Sequence, residues 1–309
     1  MSEWGPQDYA PGPLFFLLYM NDMANISQTL FCILFADDSN VFCSGKNLQN
    51  IIHSLNLELS KLTNWLLANQ LTLNVKKTHY IIFSGPKKDR STQSDIIINN
   101  QIIDRVTHTR FLGVMIDESL QYKEHIAHVK GKCARGVGIL CRAKKFFSVK
   151  TLVDLYHAFI HPYMYYCVEI WGNTNPTYLK PIVKVQKRAV KIIMGASRRS
   201  SSEDILKLLR IVPFSKLHTL GVYVFLYKLI NNAVPKSISA TFQFNNNIHN
   251  HGTRQSQNIH IDSVTCTPRR RCIRYQASVL FTCDDIVINM YNLPYVVFKY
   301  NIKSRLLDL

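Results

Sequence analysis

Ile33-Leu34-Phe35-Ala36-Asp37-Asp38-Ser39-Asn40-Val41-Phe42 sets two apolar, mostly aromatic or β-branched flanks around a small polar centre. That pattern predicts two short strands folded back about Ala36-Asp37-Asp38-Ser39. Two adjacent carboxylates at the tip of a tight hairpin repel each other unless a cation neutralises them, and their hard oxygens select Mg²⁺ or Mn²⁺. Phosphoryl transfer uses such ligands, one ion serving the attacking hydroxyl and another the leaving phosphate oxygens. A solvated Asp-Asp turn is an equally ordinary hairpin tip, so the surroundings decide.

Upstream, Leu14 to Met20 reads as a short buried helix. Downstream, Ile51, Leu55, Leu59, Leu62 and Leu66 recur at helical spacing and give one apolar stripe. Leu71 to Leu73, His79 to Phe83, Ile96 to Ile98 and Phe111 to Ile116 read as strands, separated by the polar loop Ser84 to Ser94 and an Asn99-Asn100 turn. Beyond Asp117 the pattern becomes helical: residues 121–146, a helix from the Ser148 cap to Pro162, and one from Thr177 to Met194 ending at Gly195. Helices near 203–210 and 215–231 follow, and from Asn232 onward the sequence reads as irregular. The expected fold is therefore α+β. A partial antiparallel sheet with packed helices (1–117) precedes an all-helical region (118–231) and an irregular tail (232–309).

The chain carries 37 Lys plus Arg against 20 Asp plus Glu, a formal charge of +17 on a 47% hydrophobic, globular composition. Residues 1–60 hold six acids and one base, a local charge of −5, whereas residues 130–200 hold fourteen bases and two acids, a local charge of +12. An acidic start and a basic middle suggest carboxylates gathered for one task and phosphate contacts for another. Lys180, Lys184, Lys187, Arg188 and Lys191 fall on one face of the helix over 177–194, while Ile182, Val185, Ala189 and Ile192 take another. That face is the expected nucleic-acid backbone contact. No segment reads as a signal peptide or membrane span, and the eight cysteines form no Cys-x-x-Cys pair, so an intracellular protein with reduced thiols, cytoplasmic or nuclear, is expected.

Several segments together resemble a known family. Gly12-Pro13-Leu14-Phe15-Phe16-Leu17-Leu18-Tyr19-Met20-Asn21-Asp22, then Phe35-Ala36-Asp37-Asp38, then Asn64-Trp65 with Leu71-Thr72-Leu73-Asn74-Val75-Lys76-Lys77-Thr78, then Phe111-Leu112-Gly113-Val114 resemble successive palm motifs of reverse transcriptases from non-LTR retrotransposons. Tyr165-Tyr166-Cys167, Ile170-Trp171-Gly172, Gln186-Lys187-Arg188-Ala189-Val190 and Asn292-Leu293-Pro294 resemble that family's thumb and trailing region. Four palm motifs in register weigh far more than any one of them.

The resemblance implies an RNA-directed DNA polymerase using Mg²⁺ or Mn²⁺, an RNA template, a DNA primer and dNTPs. It implies that Asp37 and Asp38 are catalytic metal ligands, and that Lys77 offsets pyrophosphate charge or supports proton transfer. Phe111, Leu112 and Gly113 match the turn holding the primer 3′ end, where Gly113 admits close backbone approach. Two departures qualify this. Asp8 and Tyr9 stand where the family's Pro-Gln loop has Gly and Ser, and the third essential carboxylate would lie on a strand upstream of Pro6, with the fingers. Nothing suggests that Asp22 replaces it. The expectation is a polymerase fragment inactive by itself, the alternative a non-catalytic nucleic-acid-binding remnant.

Other constellations are read as structural. His125 with His128 and His157 with His161 are helix-spaced but have no Cys pair beside them, and Gly136-x-Gly138 lacks the Gly-Lys-Ser/Thr of a phosphate loop.

Overall fold

The computed structural model describes residues 11–85, 94–248, 256, 258–283 and 291–308. Pro6 to Tyr9, most of the Ser84 to Ser94 loop, and His249, His251 and Arg254 lie outside the described residues. The chain divides into two units, Met1–Thr109 and Arg110–Leu309.

The first unit opens with α1 (Pro11–Met20) and a single turn at Asn21–Asn25, followed by the hairpin β1 (Phe31–Phe35) and β2 (Asp38–Phe42). Then comes α2 (Leu48–Ala68), capped by Asn47, whose side-chain oxygen accepts from the amides of Gln49 and Asn50. Of the α2 stripe Leu59 and Leu62 are buried and Ile51, Leu55 and Leu66 half-buried, with Ile52 buried in place of Ile51 in a core with Met20, Met23, Ile96, Ile98 and Ile103. Asn56 fastens the next hairpin to this helix, donating to Asp95 O at 2.9 Å and accepting from Ile97 N at 3.0 Å.

The sheet expected here is replaced by ribbons of two strands each. β3 (His79–Tyr80) runs parallel to β6 (Asp104–Arg105), and β4 (Ile97–Ile98) pairs antiparallel with β5 (Gln101–Ile102) about Asn99 and Asn100, both at positive φ. Leu71 to Leu73 is not a strand. Leu71, Leu73 and Val75 alternate inward onto the core as a strand would, but among the described residues no segment pairs with them in a ladder. The buried α1 is also corrected, since Leu14, Phe15, Leu17 and Leu18 are exposed and only Met20 is buried. A helix apolar all round carries no stripe to say which side faces the core.

A hairpin of β7 (His108–Phe111) and β8 (Val114–Asp117) stands where one strand was expected, its turn at Leu112-Gly113. The second unit is then helical: α3 (Lys123–Ala143), α4 (Val149–Phe159), α5 (His161–Tyr165), α6 (Val168–Trp171), α7 (Pro176–Ile193), α8 (Ser202–Leu208) and α9 (Phe214–Ile230). Ser148 caps α4 through the amide of Thr151, and Gly195, at φ 61°, follows α7. Gly136 marks where α3 meets the end of α4, because a Cβ there would lie 2.8 Å from the Phe159 carbonyl oxygen.

Beyond Asn232 the structure departs from the expected irregular tail. Short helices α10 (Lys236–Ser239), α11 (Asn245–Ile248) and α12 (Thr267–Arg271) lead to the longer α13 (Ile273–Cys283) and α14 (Tyr295–Asp308). Ala277, Phe281, Phe298, Ile302 and Leu306 join Trp171, Leu217, Leu220 and Leu226 in one core. Tyr227 ties α9 to this region, donating to Leu293 O at 2.8 Å.

Candidate active-site hairpin and nucleic-acid face

The β1–β2 register, Phe31↔Phe42 through Phe35↔Asp38, leaves Ala36 and Asp37 as a two-residue turn. Ala36 sits at φ 50°, the left-handed conformation such tight turns demand. Asp38 is therefore the first residue of β2, and both aspartates are exposed. Neither carboxylate receives a hydrogen bond or ion pair from a described residue. Exposed, unneutralised oxygens of this kind suit a hard cation. Among the described residues no group of three His, Cys, Asp or Glu stands together, so the hairpin offers two carboxylates and no third. Asp22 is engaged elsewhere: its Oδ2 accepts from Trp65 Nε1 at 3.4 Å, which explains one pairing of the sequence motifs.

Lys77 lies in the single turn Val75–Lys77, is exposed, and forms no ion pair with Asp37 or Asp38. Phe111 ends β7. Leu112 and Gly113 take φ 44° and 89°, so both centre residues of the turn are left-handed. Tyr166 braces that turn: its hydroxyl donates to Leu112 O at 2.7 Å, and a Cβ on Gly113 would stand 3.2 Å from its ring. The need for glycine was legible in the sequence, the partner was not. No spacing links position 166 to 113.

The basic face forms on α7. Lys180, Lys184 and Arg188 are exposed, and Lys187 and Lys191 half-buried, while Ile182, Gln186, Ala189, Val190 and Ile193 point into the core. Lys184, Lys187, Arg188 and Lys191 line an open groove of about 410 Å³, joined by Lys144 from the end of α3 and by Arg198. Lys180 lies outside that lining. Lys191 Nζ donates to the Arg198 carbonyl at 2.6 Å, drawing the loop after α7 over the helix. Glu203 stands 3.9 Å from Lys187, and no acid lines the groove itself.

Sequence reasoning gave Gln186 no role. It is buried, donates from Nε2 to Tyr156 Oη at 2.9 Å and Val212 O at 3.0 Å, and accepts at Oε1 from Phe214 N at 2.7 Å. These bonds knit the unexposed side of α7 to α4 and α9, holding the basic face in place.

The histidines are structural. His125 is buried edge-on against Trp171, accepts from Met115 N at 3.3 Å, and is pushed down to about 4 by burial and by His128. His157 and His161 lie 5.1 Å apart by ring centre, and burial first, then His157, Lys303 and Lys299, takes His161 to about 4. All eight cysteines are free thiols. Among the described residues no helix is long and apolar enough to cross a membrane.

Residues 5–116, which contain the aspartate hairpin, match the family described as reverse transcriptase (RNA-dependent DNA polymerase). The RNA-directed DNA polymerase from mobile element jockey of Drosophila funebris is 21% identical over 210 residues, 65% of this chain and 23% of that protein. The probable RNA-directed DNA polymerase from transposon X-element of Drosophila melanogaster is 22% identical over 198 residues, 62% of this chain and 21% of that protein. The chain is thus similar to the reverse transcriptases of jockey-like retrotransposons. A Pol polyprotein from the type-1 retrotransposable element R1 of Bradysia coprophila is 24% identical over 175 residues, 55% of this chain and 17% of that protein. The chain thus spans less than a quarter of the length of these reverse-transcriptase relatives. No solved structure matches it significantly.

Proposed function

We propose that this chain is part of the RNA-directed DNA polymerase of a jockey-like element, supplying the aspartate-bearing palm hairpin and a basic helical face for the template–primer. The observation that carries this reading is the position of Asp37 and Asp38, two exposed carboxylates on a tight hairpin inside the segment that matches the reverse transcriptase family. Asp37 and Asp38 would hold Mg²⁺ or Mn²⁺, which when bound supplies charge stabilisation for nucleotidyl transfer. Lys77 would act on pyrophosphate charge, and the Phe111-Leu112-Gly113 turn, braced by Tyr166, would carry the primer end. The cations of α7 would take backbone phosphates of an RNA template paired to a DNA primer, a contact sensitive to salt and indifferent to sequence.

Two carboxylates leave the metals short of ligands, and removing one ligand of such a site costs most of the activity. The 309 residues by themselves are therefore proposed to bind without extending a primer, polymerisation requiring a further carboxylate. The pair standing without a third acid among the described residues also favours the second reading, a nucleic-acid-binding remnant with an idle hairpin. Primer extension with Mg²⁺ or Mn²⁺ and an annealed RNA–DNA substrate tests both. The expected result is no incorporation above an Asp37→Ala control, with binding that weakens in Lys184→Ala/Arg188→Ala/Lys191→Ala and a flatter salt slope. Incorporation that Asp37→Ala abolishes would overturn the proposed inactivity, and binding indifferent to the triple change would remove α7 as the contact.

A further inference from the structure

The turn between α3 and α4 is exposed at every residue from Lys144 to Val149. Two neighbours in it are phenylalanines, Phe146 at 81% and Phe147 at 53% of full exposure. Adjacent rings this open contribute little to the core and keep a standing cost in hydrated apolar surface. The turn is nevertheless well defined, because the amides of Phe146 and Phe147 both donate to Ala143 O, at 2.9 and 3.1 Å, and Ser148 starts the next helix. The rings are thus displayed from fixed backbone. Around them stand Arg142, Lys144, Lys145 and Lys150, with no acid from 142 to 150. Lys144, two residues before Phe146, lines the groove of Lys184, Lys187, Arg188, Lys191 and Arg198.

We propose that this groove and turn form one seat for a single nucleic-acid strand with unpaired bases, its phosphates among Lys144, Lys184, Arg188 and Lys191 and its bases stacked on Phe146 and Phe147. The inference rests on the nucleic-acid reading of the α7 face, whose cations serve a duplex backbone as well, and adds that the neighbouring rings let the same face seat an unpaired strand. In a duplex the base faces are already stacked on one another, so a duplex uses the cations and gains nothing from the rings. An unpaired base presents its face, and aromatic stacking accepts every base because each has a π-face. The dense positive charge about the rings argues for a polyanion over an apolar protein partner.

The test measures binding of the full chain by fluorescence anisotropy to three labelled ligands. They are a single strand, the same strand annealed to its complement, and an abasic strand of equal length. Phe146→Ala/Phe147→Ala is expected to weaken the single strand about tenfold. It should leave the duplex, the abasic strand, the salt slope and the unfolding temperature unchanged. Phe146→Trp/Phe147→Trp should retain single-strand binding. Lys184→Ala/Arg188→Ala should weaken all three ligands and lower the salt slope by about one per cation removed. If the double alanine variant holds the single strand as tightly as the parent while the lysine–arginine variant is weakened, the stacking seat is overturned and the nucleic-acid face stands. An equal loss on all three ligands, or a fall in unfolding temperature, assigns the rings a structural role and also overturns it. Unchanged binding in the lysine–arginine variant overturns the underlying reading of α7.

Discussion

Gln186 fills three hydrogen-bonding roles inside the core, and its partners Tyr156, Val212 and Phe214 are buried with it. Gln186→Leu keeps the volume and strands Phe214 N, Val212 O and the Tyr156 hydroxyl, and a buried polar group left unpaired costs about 1–3 kcal/mol. The expected loss is about 3 kcal/mol in urea unfolding of the second unit, and a loss below about 1 kcal/mol would show that water replaces the amide. Little at this scale was legible. A glutamine between lysines on a basic helix reads as one more solvated side chain, and only its phase with Ile182, Ala189 and Ile193 hints otherwise. Leu112 was equally hidden, since a leucine at positive φ is rare and Val114-Met115-Ile116 continues the β-branched pattern that makes 111–116 look like one strand. Asp37 and Asp38 were legible because no apolar alternative competes for a polar hairpin tip.

Elements were readable where one face differs from the other. The helices α2 and α7 turn the expected side of each toward the core, though in α7 Gln186, Val190 and Ile193 are buried where Val185 and Ile192 were expected, and the Ser148 cap sits where that helix start was read. The burial of α1 and the existence of α14 were misread for opposite reasons: α1 is apolar all round, and α14 mixes Lys299, Lys303 and Arg305 with its buried residues. The register of α14 comes from packing. Phe298 and Ile302 are fully buried one turn apart, with the Phe298 ring 4.6 Å from Tyr227 and 5.4 Å from Tyr291. Phe298→Ala is accordingly expected to cost about 3–5 kcal/mol, a value typical of emptied aromatic sites. In a unit of this size that lowers the unfolding temperature on the order of 10 °C. A calorimetric scan showing no shift would mean that α14 is an appendage of the basic unit and not part of its core.

Across the whole molecule, charge and core are distributed differently, and this sets its response to acid. The second unit holds His125, His157, His161 and His218 under burial, which lowers the pKa of each below the ordinary 6.5, to about 4 for His125 and His161. Lys303 and Lys299 add repulsion at His161, and Lys303 does so at His157. In the unfolded chain these imidazoles take up protons near pH 6.5, while in the folded chain all four stay neutral to lower pH, His125 and His161 until about 4. Between those values the unfolded state binds more protons, so stability falls as pH is lowered from about 6.5 to 4 and the histidine contribution then levels off. The +17 charge, already repulsive at neutrality, grows over the same window and works in the same direction. His161→Phe removes one of the four groups and both lysine repulsions on it, so its unfolding temperature should decline less steeply than the parent's from pH 6.5 to 4. Parallel declines in the two proteins would show that the acid response comes from general charge and not from the imidazoles packed between α4, α5 and α14.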